Sequence, residues 1–323
     1  DTGSRGLGDV YKRQEEDTLI AVLPFYHIYG MTVILNSALS HGATVVCMSR
    51  FDLEQFLVLM QKHEVTRAHL VPPIVLVLAK HPMVEGYAFP KLKTIMSGAA
   101  PLGPELAEDC ARRLGCTVKQ GYGLTETSPV THLNPEPPGR VVPGSIGICI
   151  PNTECRIVDY ETGKDLGTGM QGELWIRGPQ VMKGYLNNKE ATNQTIDPEG
   201  WLKTGDIAEV DEEGYFKIVD RVKELIKYKG FQVAPAELEA LLLIHPSIAD
   251  CAVVPAEDPE AGEIPVGFVV YKENMLENPE TIMEFIAQKV SPQKKIRRII
   301  QIEQIPKSPS GKILRRYLRD QIA

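Results

Sequence analysis

The chain lacks the patterns that mark several large classes of protein. No apolar run is long enough to span a membrane, and the formal charge of −7 gives no reason to expect nucleic acid or an anionic membrane as a partner. The six cysteines form no C-x-x-C pair, and no histidine spacing matches a zinc site. We therefore expect scattered, buried thiols in a reducing, cytoplasmic compartment.

Length and composition leave room for two ordinary globular domains. Of the 323 residues, 43% are apolar and 24% are charged. The first fourteen residues differ from the rest, because they carry neither an apolar period nor a secretory h-region. We expect residues 1–14 to be a non-native leader.

The periodicity of apolar residues predicts an α/β fold with a parallel sheet, followed by a smaller α+β unit. Short apolar strands alternate with helices up to residue 120, and from about residue 144 strands separated by Gly and Asp turns indicate a β-rich subdomain. We place the first domain at residues 15–220 and the second at 221–323. The predicted strands are 18–23, 43–48, 65–71, 93–96, 117–120, 155–159, 173–177, 207–210, 215–219, 252–255, 266–271 and 299–305. The predicted helices are 31–39, 74–80, 104–114, 235–244, 279–290 and 311–322, and another that begins after Asp52.

Polar motifs interrupt these elements. They are LPFYHIYG at 23–30, SGAAPLG at 97–103, QGYGLTETSP at 120–129, WLKTGD at 201–206, DRVKELIKYKGFQV at 220–233 and PKSPSGK at 306–312. Taken singly, each has an ordinary structural interpretation, such as a Gly-rich turn, a structural histidine, a basic hairpin or a mobile tail. The third motif is the most informative, since two glycines allow close backbone approach to a ligand before a hydroxyl and a carboxylate.

Together the motifs resemble the adenylate-forming enzymes, which include acyl-CoA ligases, peptide-synthetase adenylation domains and luciferases. The motif sequences are most similar to those of the 4-coumarate–CoA ligase branch, and the resemblance extends over residues 15–323. The resemblance implies that the second domain is a mobile lid. It implies an ATP-dependent ligase that forms an acyl-adenylate and then a CoA thioester, with 4-coumarate as the favoured acid and medium-chain fatty acids next.

The resemblance also implies the site residues. Glu126 would help hold Mg²⁺, a hard cation suited to carboxylate and phosphate oxygens. His27 would gate the approach of the thiol, Lys223 would be the pivot between the domains, and Lys312 would stabilise charge on the α-phosphate during adenylation. The residues expected to be catalytic are therefore His27, Thr125, Lys223 and Lys312. The residues expected to bind nucleotide (ATP/AMP) are Gln120, Gly121, Tyr122, Thr125, Asp206, Arg221 and Lys312. Those expected to line the acyl pocket are Tyr29, Val33, Met96, Ala99, Gly121, Pro129 and Val130, and those expected to bind coenzyme A are Lys229, Gly230 and Gln232.

One family motif is missing from the sequence. The Ser/Thr/Gly-rich phosphate loop TSGTTGxPKG should lie upstream of Asp17, and it is absent. We therefore expect a C-terminal fragment that adenylates poorly. The alternatives are a non-catalytic nucleotide-binding fragment, a luciferase-like oxidation of the adenylate, and acyl loading onto a carrier protein. The sequence leaves the acid and the oligomeric state open.

Overall fold

A computed structural model describes residues 15–135, 141–273, 275–308 and 311–322. Within them the chain divides into two compact units. The first comprises residues 15–204 and 209–218, and the second comprises residues 205–208 and 219–322. The predicted leader lies outside the described residues.

A seven-stranded sheet forms the centre of the first unit, in the order β2-β1-β3-β4-β5-β6-β7. Neighbouring strands are parallel from β2 to β5, whereas β6 and β7 add antiparallel pairings. The predicted parallel α/β sheet is therefore confirmed. Its strands are β1 Thr18–Ala21, β2 Thr44–Cys47, β3 Arg67–Leu70, β4 Thr94–Ser97, β5 Thr117–Gly123, β6 Val130–Leu133 and β7 Ile148–Cys149.

The helices of the first unit begin and end at residues that the sequence marks. The Asp52 carboxylate accepts a hydrogen bond from Gln55 N at 2.9 Å and so caps its helix, while Gly115 ends the helix after β4 in a left-handed conformation, with φ 65°. The α-helices are α1 Ser37–Ser40, α2 Leu53–Lys62, α3 Pro72–Lys80, α4 Pro104–Leu114 and α5 Lys189–Thr195. A π-helix at Tyr29–Asn36 runs into α1, and 3₁₀ turns lie at Pro82–Gly86 and Thr125–Thr127.

A second sheet has the order β11-β10-β9-β8. Its strands are β8 Glu154–Val158, β9 Gly172–Arg177, β10 Leu202–Val210 and β11 Phe216–Arg221. The guanidinium of Arg156 lies 4.7 Å from the ring centre of Trp175 and 4.5 Å from that of Trp201, within cation–π range of both rings. These contacts fix one face of the β-rich subdomain that the turn pattern predicts.

The second unit is built on a mixed sheet in the order β13-β12-β15-β14, with β16 parallel to β15. Alternate residues of β14 enter two separate cores. Cys251 and Val253 pack beneath α6 and α7, and Ala252 and Val254 pack with Leu318 of α8. The strands are β12 Ile226–Tyr228, β13 Phe231–Val233, β14 Ile248–Asp258, β15 Gly262–Tyr271 and β16 Arg298–Gln301. The α-helices are α6 Pro235–Ile244, α7 Pro279–Ala287 and α8 Arg315–Arg319, with a 3₁₀ turn at Pro292–Lys294.

Some sequence-based bounds were wrong. The basic helix predicted over 311–322 is α8 alone, because Lys307 and Ile313 form a β-bridge that holds the preceding residues extended. The last strand ends at Gln301 instead of Ile305, and β6, β7, β12, β13 and α5 were not predicted. Among the described residues, no helix combines the length and apolar character needed to cross a bilayer.

Candidate active site

Three of the motif loops follow strands of the parallel part of the large sheet. LPFYHIYG follows β1, SGAAPLG begins at the last residue of β4, and QGYGLTETSP begins within β5. Because the carboxyl ends of parallel strands meet at one edge, the topology brings these three loops together. That edge is where ligands bind in open α/β sheets.

Tyr29 joins the first loop to the second. Its hydroxyl donates to the carbonyl of Met96 at 3.2 Å, and its ring packs edge-on against His69 of β3, with ring centres 6.1 Å apart. A side chain added at Gly98 would lie 3.0 Å from the Tyr29 ring, so this glycine lets the two loops meet. Tyr29 and Met96, both predicted to line the acyl pocket, are therefore in contact.

Gln120 joins the third loop to the second. Its side-chain carbonyl accepts from Leu102 N at 2.8 Å, and its amide donates to Leu102 O at 3.1 Å. The side chain is buried, so these two bonds fix SGAAPLG against β5. Any contact of the Gln120–Tyr122 segment with adenine would therefore come from the backbone and from Tyr122. Gly121 faces the sulfur of Met96, 3.5 Å from where a Cβ would stand.

The tip of the third loop is tightly closed. A Cβ at Gly123 would lie 1.9 Å from the carbonyl oxygen of Pro129, so only glycine fits there. Fully buried Thr127 accepts from Leu124 N at 2.9 Å, and Leu124 N also donates to Pro129 O at 3.0 Å. Sequence reasoning missed Thr127; the repeated hydroxyl in LTET was the available signal.

This closure leaves Thr125 exposed and Glu126 half-buried beside it. Tyr185 donates its hydroxyl to Glu126 Oε1 at 2.8 Å, and that contact raises the pKa of Tyr185, after desolvation as the larger cause. Tyr185 was not predicted. Tyr185 thus holds one carboxylate oxygen of Glu126, and the same loop presents the hydroxyl of Thr125. Carboxylate and hydroxyl oxygens are hard donors, and this donor set fits Mg²⁺.

The other residues predicted to bind the acyl group lie around these loops. Val33, Pro129 and Val130 are buried, and Ala99 is half-buried with φ 70°, an unfavourable conformation for a residue with a side chain. His27 is half-buried, and its Nδ1 accepts from Tyr29 N at 3.2 Å. A cavity of about 310 Å³ between α2 and residues 88–91 contains none of the predicted site residues in its lining.

In the second unit, the structure pairs Asp206 with Arg221. Arg221 Nε donates to Asp206 Oδ1 at 3.1 Å; the carboxylate is 6% exposed and the guanidinium side chain 55% exposed. The predicted ribose pair therefore has a buried acceptor and an accessible cation. Backbone turns hold the segment, since Val222 N donates to Gly205 O at 2.9 Å. Lys223 follows in an exposed turn.

Buried ionic groups lie directly behind this pair. Asp220 accepts from Arg221 N at 2.7 Å and from Ala236 N at 2.8 Å, so it caps α6. Burial raises the pKa of Asp220 to about 6, although these two hydrogen bonds and the charge of Arg315 oppose the shift. Arg315 binds both carboxylate oxygens of Glu239, donates to Val253 O at 3.0 Å, and lies 3.7 Å from Glu224. Arg315 and Glu239 were not predicted.

The residues predicted to bind coenzyme A lie on the β12–β13 hairpin. Tyr228 pairs with Phe231, so Lys229 and Gly230 form a two-residue turn, with φ 48° and 81°. Positive φ at both positions is typical of the type I′ turn, which favours glycine at the second position. Lys229, Gly230 and Gln232 are all exposed. The hairpin thus presents Lys229 and Gly230 at its tip and Gln232 on the adjoining strand, β13.

Lys312 lies on an exposed segment of the second unit. Its N–H donates to Ser308 Oγ at 3.2 Å and its carbonyl accepts from Ser308 N at 2.8 Å, so the two residues are held together. Motif residues 309 and 310 lie outside the described residues. Three residues after Lys312, Arg315 is anchored in the buried ionic group, so the loop has a fixed base.

The structure also assembles a cluster that the sequence reasoning missed. His132, Cys149 and Cys155 converge, with the two sulfurs 2.9 Å apart. The hydrogen bond between the thiols lowers the pKa of Cys149 and raises the pKa of Cys155. The expectation of scattered thiols was wrong for Cys149 and Cys155, because the turn between β7 and β8 brings the two sulfurs together, and pairing of β6 with β7 adds His132.

Comparison with known families agrees with these arrangements. The family model for AMP-binding enzyme matches residues 4–186, and the model for the AMP-binding enzyme C-terminal domain matches residues 237–312. The chain is 50% identical over 319 residues to 4-coumarate-CoA ligase 2 of Narcissus pseudonarcissus, which covers 98% of this chain and 56% of the relative. It is 50% identical over 313 residues to 4-coumarate–CoA ligase 2 of Nicotiana tabacum, covering 95% of this chain and 58% of that relative. It spans little more than half the length of these relatives.

Solved structures give the same result at lower identity. ATP-bound MatB from Rhodopseudomonas palustris matches with a TM-score of 0.89 and 29% identity, over 98% of this chain and 62% of that chain. The anthranilate CoA ligase AuaEII in complex with anthranoyl-AMP matches with a TM-score of 0.90 and 25% identity, over 98% and 61%. The resemblance drawn from the motifs is confirmed at the level of the family, and the chain belongs to the AMP-binding enzymes, the adenylate-forming superfamily.

Proposed function

We propose that the chain carries the catalytic elements of an ATP-dependent acid–thiol ligase. Such an enzyme joins a carboxylic acid to AMP, releasing pyrophosphate, and then transfers the acyl group to the thiol of coenzyme A, releasing AMP. The observation that carries the proposal is the convergence of three separated motif loops at one edge of the sheet, held together by Tyr29 and Gln120.

For the first step, we assign Thr125 and Lys312 to the α-phosphate. Thr125 is an exposed hydroxyl on a rigid loop, and Lys312 is an exposed cation on a loop with a fixed base. Charge builds up on the phosphate oxygens as the carboxylate attacks phosphorus, and a cation placed there lowers the barrier. Asp206 and Arg221 hold the ribose, and the backbone of Gln120–Tyr122 supports the adenine.

Glu126 would hold Mg²⁺ through the carboxylate oxygen that Tyr185 does not engage. When bound, the ion would neutralise charge on the phosphate oxygens. Glu126 itself orients the site, because Tyr185 fixes its side chain from one side and Met182 N binds its carbonyl at 2.8 Å.

For the second step, we assign Lys229, Gly230 and Gln232 to coenzyme A and His27 to the thiol's approach. The hairpin tip offers a cation and polar groups to a phosphate-bearing ligand. Lys223, in its exposed turn after β11, is the proposed pivot that lets the second unit serve the two steps in turn. All six cysteines are free thiols, which suits the cytoplasm where we place the enzyme.

For the acid, we propose 4-coumarate or a related aryl acid. The relatives from Narcissus and Nicotiana are 4-coumarate–CoA ligases, and the AuaEII complex holds an aryl-adenylate. The residues proposed to line the acyl pocket are Tyr29, Val33, Met96, Ala99, Gly121, Pro129 and Val130. The buried members of that set provide apolar surface against which a planar ring packs.

The test separates the two steps with Lys312→Ala. It uses the chain as it stands and a chimera that adds the upstream residues of the Narcissus relative. Adenylation is measured by ATP–pyrophosphate exchange with 4-coumarate, and thiolation by thioester formation from supplied 4-coumaroyl-adenylate and CoA. We expect exchange by the chimera to fall on the order of 10²–10³-fold while thiolation persists. The matched control is Lys289→Ala, an exposed lysine outside the proposed site.

Survival of both reactions in Lys312→Ala would refute the assignment of Lys312. Oxidation of the adenylate, or transfer to a carrier protein instead of CoA, would identify one of the other adenylating activities.

The second candidate is a nucleotide-binding protein without turnover. The observation that favours it is the Asp206–Arg221 pair, a buried acceptor beside an accessible cation, which suffices to hold a ribose without any chemistry. This candidate predicts AMP binding by the chain without pyrophosphate exchange. Exchange by the chain itself would exclude it.

A further inference from the structure

Three metal-ligating side chains meet outside the motifs used above. Nε2 of His132 lies 3.4 Å from Sγ of Cys149 and 3.4 Å from Sγ of Cys155. The imidazole is fully buried and the two cysteines are half-buried. Two thiols and one imidazole are the ligand types that zinc selects in proteins.

Strand pairing sets the positions of all three. His132 of β6 stands opposite Cys149 of β7 in register. A turn then returns the chain, with Thr153 N donating to Ile150 O at 3.2 Å, and β8 begins directly before Cys155. The cluster therefore belongs to the strand framework and not to a loose loop.

The two ring nitrogens of His132 have different polar neighbours. Thr131 Oγ1 lies 3.4 Å from Tyr122 O and 3.0 Å from His132 Nδ1. The buried Thr131 hydroxyl is therefore the polar partner of Nδ1. Nε2, the other ring nitrogen, is directed at both sulfurs. A polar partner on the far nitrogen is the usual outer support of a metal-binding histidine.

The distances from the imidazole nitrogen to the two sulfurs favour a metal site. Tetrahedral zinc, with Zn–S about 2.3 Å and Zn–N about 2.0 Å, separates nitrogen from sulfur by roughly 3.5 Å and sulfur from sulfur by roughly 3.8 Å. The two nitrogen–sulfur distances already match, and the sulfurs, 2.9 Å apart, need to separate by less than about 1 Å. A disulfide would leave the equidistant imidazole without a role.

We propose that His132, Cys149 and Cys155 form a binding site for a thiophilic divalent cation, zinc in the cell, with water as the fourth ligand. The ion would join β6, β7 and β8 behind the candidate nucleotide loop. Tyr122 stands opposite His132 across β5 and β6, and their ring centres are 5.8 Å apart. The site is therefore a structural clamp that positions the strand from which Tyr122 projects.

The experiment measures metal binding directly and does not depend on turnover. The reduced chain is freed of metal with a chelator and titrated with Zn²⁺ against a chromophoric competitor, and with Co²⁺ under anaerobic conditions. We expect one equivalent of either ion, with thiolate-to-cobalt charge transfer and tetrahedral d–d bands for Co²⁺. Zinc-edge X-ray absorption of the unmodified chain should count two sulfur ligands and two nitrogen or oxygen ligands.

Variants then test each part of the site. Cys149→Ser and Cys155→Ser should abolish the charge-transfer band, whereas Cys116→Ser, at a half-buried thiol outside the cluster, should retain it. Thr131→Val should keep the ligands but weaken zinc binding by about 10–100-fold, because it removes the support of Nδ1. Failure of the unmodified chain to bind Zn²⁺, equal binding by the Cys149→Ser/Cys155→Ser double variant, or a Cys149–Cys155 disulfide that resists added reductant would each overturn the proposal.

Discussion

The two units hold their candidate site residues in different ways. In the first unit, the linking side chains Tyr29, Gln120 and Thr127 are themselves buried, and each bonds the backbone of a motif loop. In the second unit, Lys229 and Lys312 are exposed. The side chains that anchor the segment of Lys312, such as the ion pair of Arg315 with Glu239, are largely buried. The candidate site of the first unit is therefore shaped by buried, hydrogen-bonded side chains, whereas the second unit presents exposed cations on segments that are anchored elsewhere.

The difference is expected from physical chemistry. A pocket for an acyl group and adenine binds its ligands more tightly when its lining side chains are already ordered, because ordering them at the time of binding would cost affinity. A cation that serves only one of two steps has to remain solvated when it is not in use, since burying an unpaired charge is costly. Substitutions at the anchoring side chains should therefore affect stability, and substitutions at the exposed cations should affect binding or rate.

The largest effect should come from Arg315→Ala. The substitution leaves the mostly buried carboxylate of Glu239 without its bidentate partner, and breaking such a pair costs about 3–5 kcal/mol. Urea unfolding should show the loss in the transition of the second unit. Arg316→Ala, at the exposed neighbouring position, is the control and should be nearly neutral. Equal, small effects of the two variants would show that α8 is not anchored through Arg315.

The next effect concerns pH. The pKa of Asp220 is raised by burial to about 6 from an ordinary value of 3.8, so ionisation is harder in the folded state. The contribution of Asp220 to the free energy of unfolding is fully present below about pH 4. It falls by about 3 kcal/mol as the pH rises through about 6. Asp220→Asn should remove this fall in the free energy of unfolding.

The measurement is urea unfolding from pH 4 to pH 7 for the unmodified chain, Asp220→Asn, and the control Asp320→Asn at an exposed position. If Asp220→Asn has the same pH slope as the unmodified chain, the buried carboxylate is not the titrating group.

A smaller effect is expected for Arg221→Ala on AMP binding. A charge-assisted hydrogen bond to the ribose is worth roughly 1.5–3 kcal/mol, so the dissociation constant should rise about tenfold or more. Titration calorimetry measures it, with Lys217→Ala on the same strand, β11, as the control. Unchanged affinity would remove Arg221 from the nucleotide site and weaken the contrast between the units.

The smallest effect is expected for Tyr29→Phe. The variant keeps the ring against His69 but removes the hydroxyl that donates to Met96 O, at a cost of about 1 kcal/mol. Thermal unfolding of the first unit measures it. The control is Tyr26→Phe, because that side chain is 79% exposed and should change nothing. A larger loss in the control than in Tyr29→Phe would contradict the role of Tyr29 as a link.

Much of the fold followed from sequence. Helices α4 and α6 have the predicted bounds, because a proline opens each helix and Gly115 ends α4. The strands of the parallel sheet were located from short apolar runs. The short strands β12 and β13 were missed, since three-residue pairings carry too little periodicity, and α8 proved shorter because a β-bridge competes for the residues before it.

The candidate site was predictable only where a motif is contiguous. The roles given to those motif residues remain proposals, whereas their positions at strand ends could be read from the sequence. Tyr185 and Arg315 could not, because each meets its partner across a large separation in sequence, and the pairing depends on the folded backbone. The same holds for His132 and the two cysteines, where strand register, rather than spacing along the chain, creates the cluster.

The β14–β15 hairpin has a consequence for the order of folding. Its strands pair from Ile248↔Tyr271 to Asp258↔Gly262, and the turn is closed by Asp258, which accepts from Glu260 N at 3.0 Å and from Ala261 N at 2.8 Å. These contacts join residues close in sequence, so little loop-closure entropy opposes them. We infer that this hairpin nucleates the second unit, and that the contacts of Arg315 form after the transition state and chiefly slow unfolding.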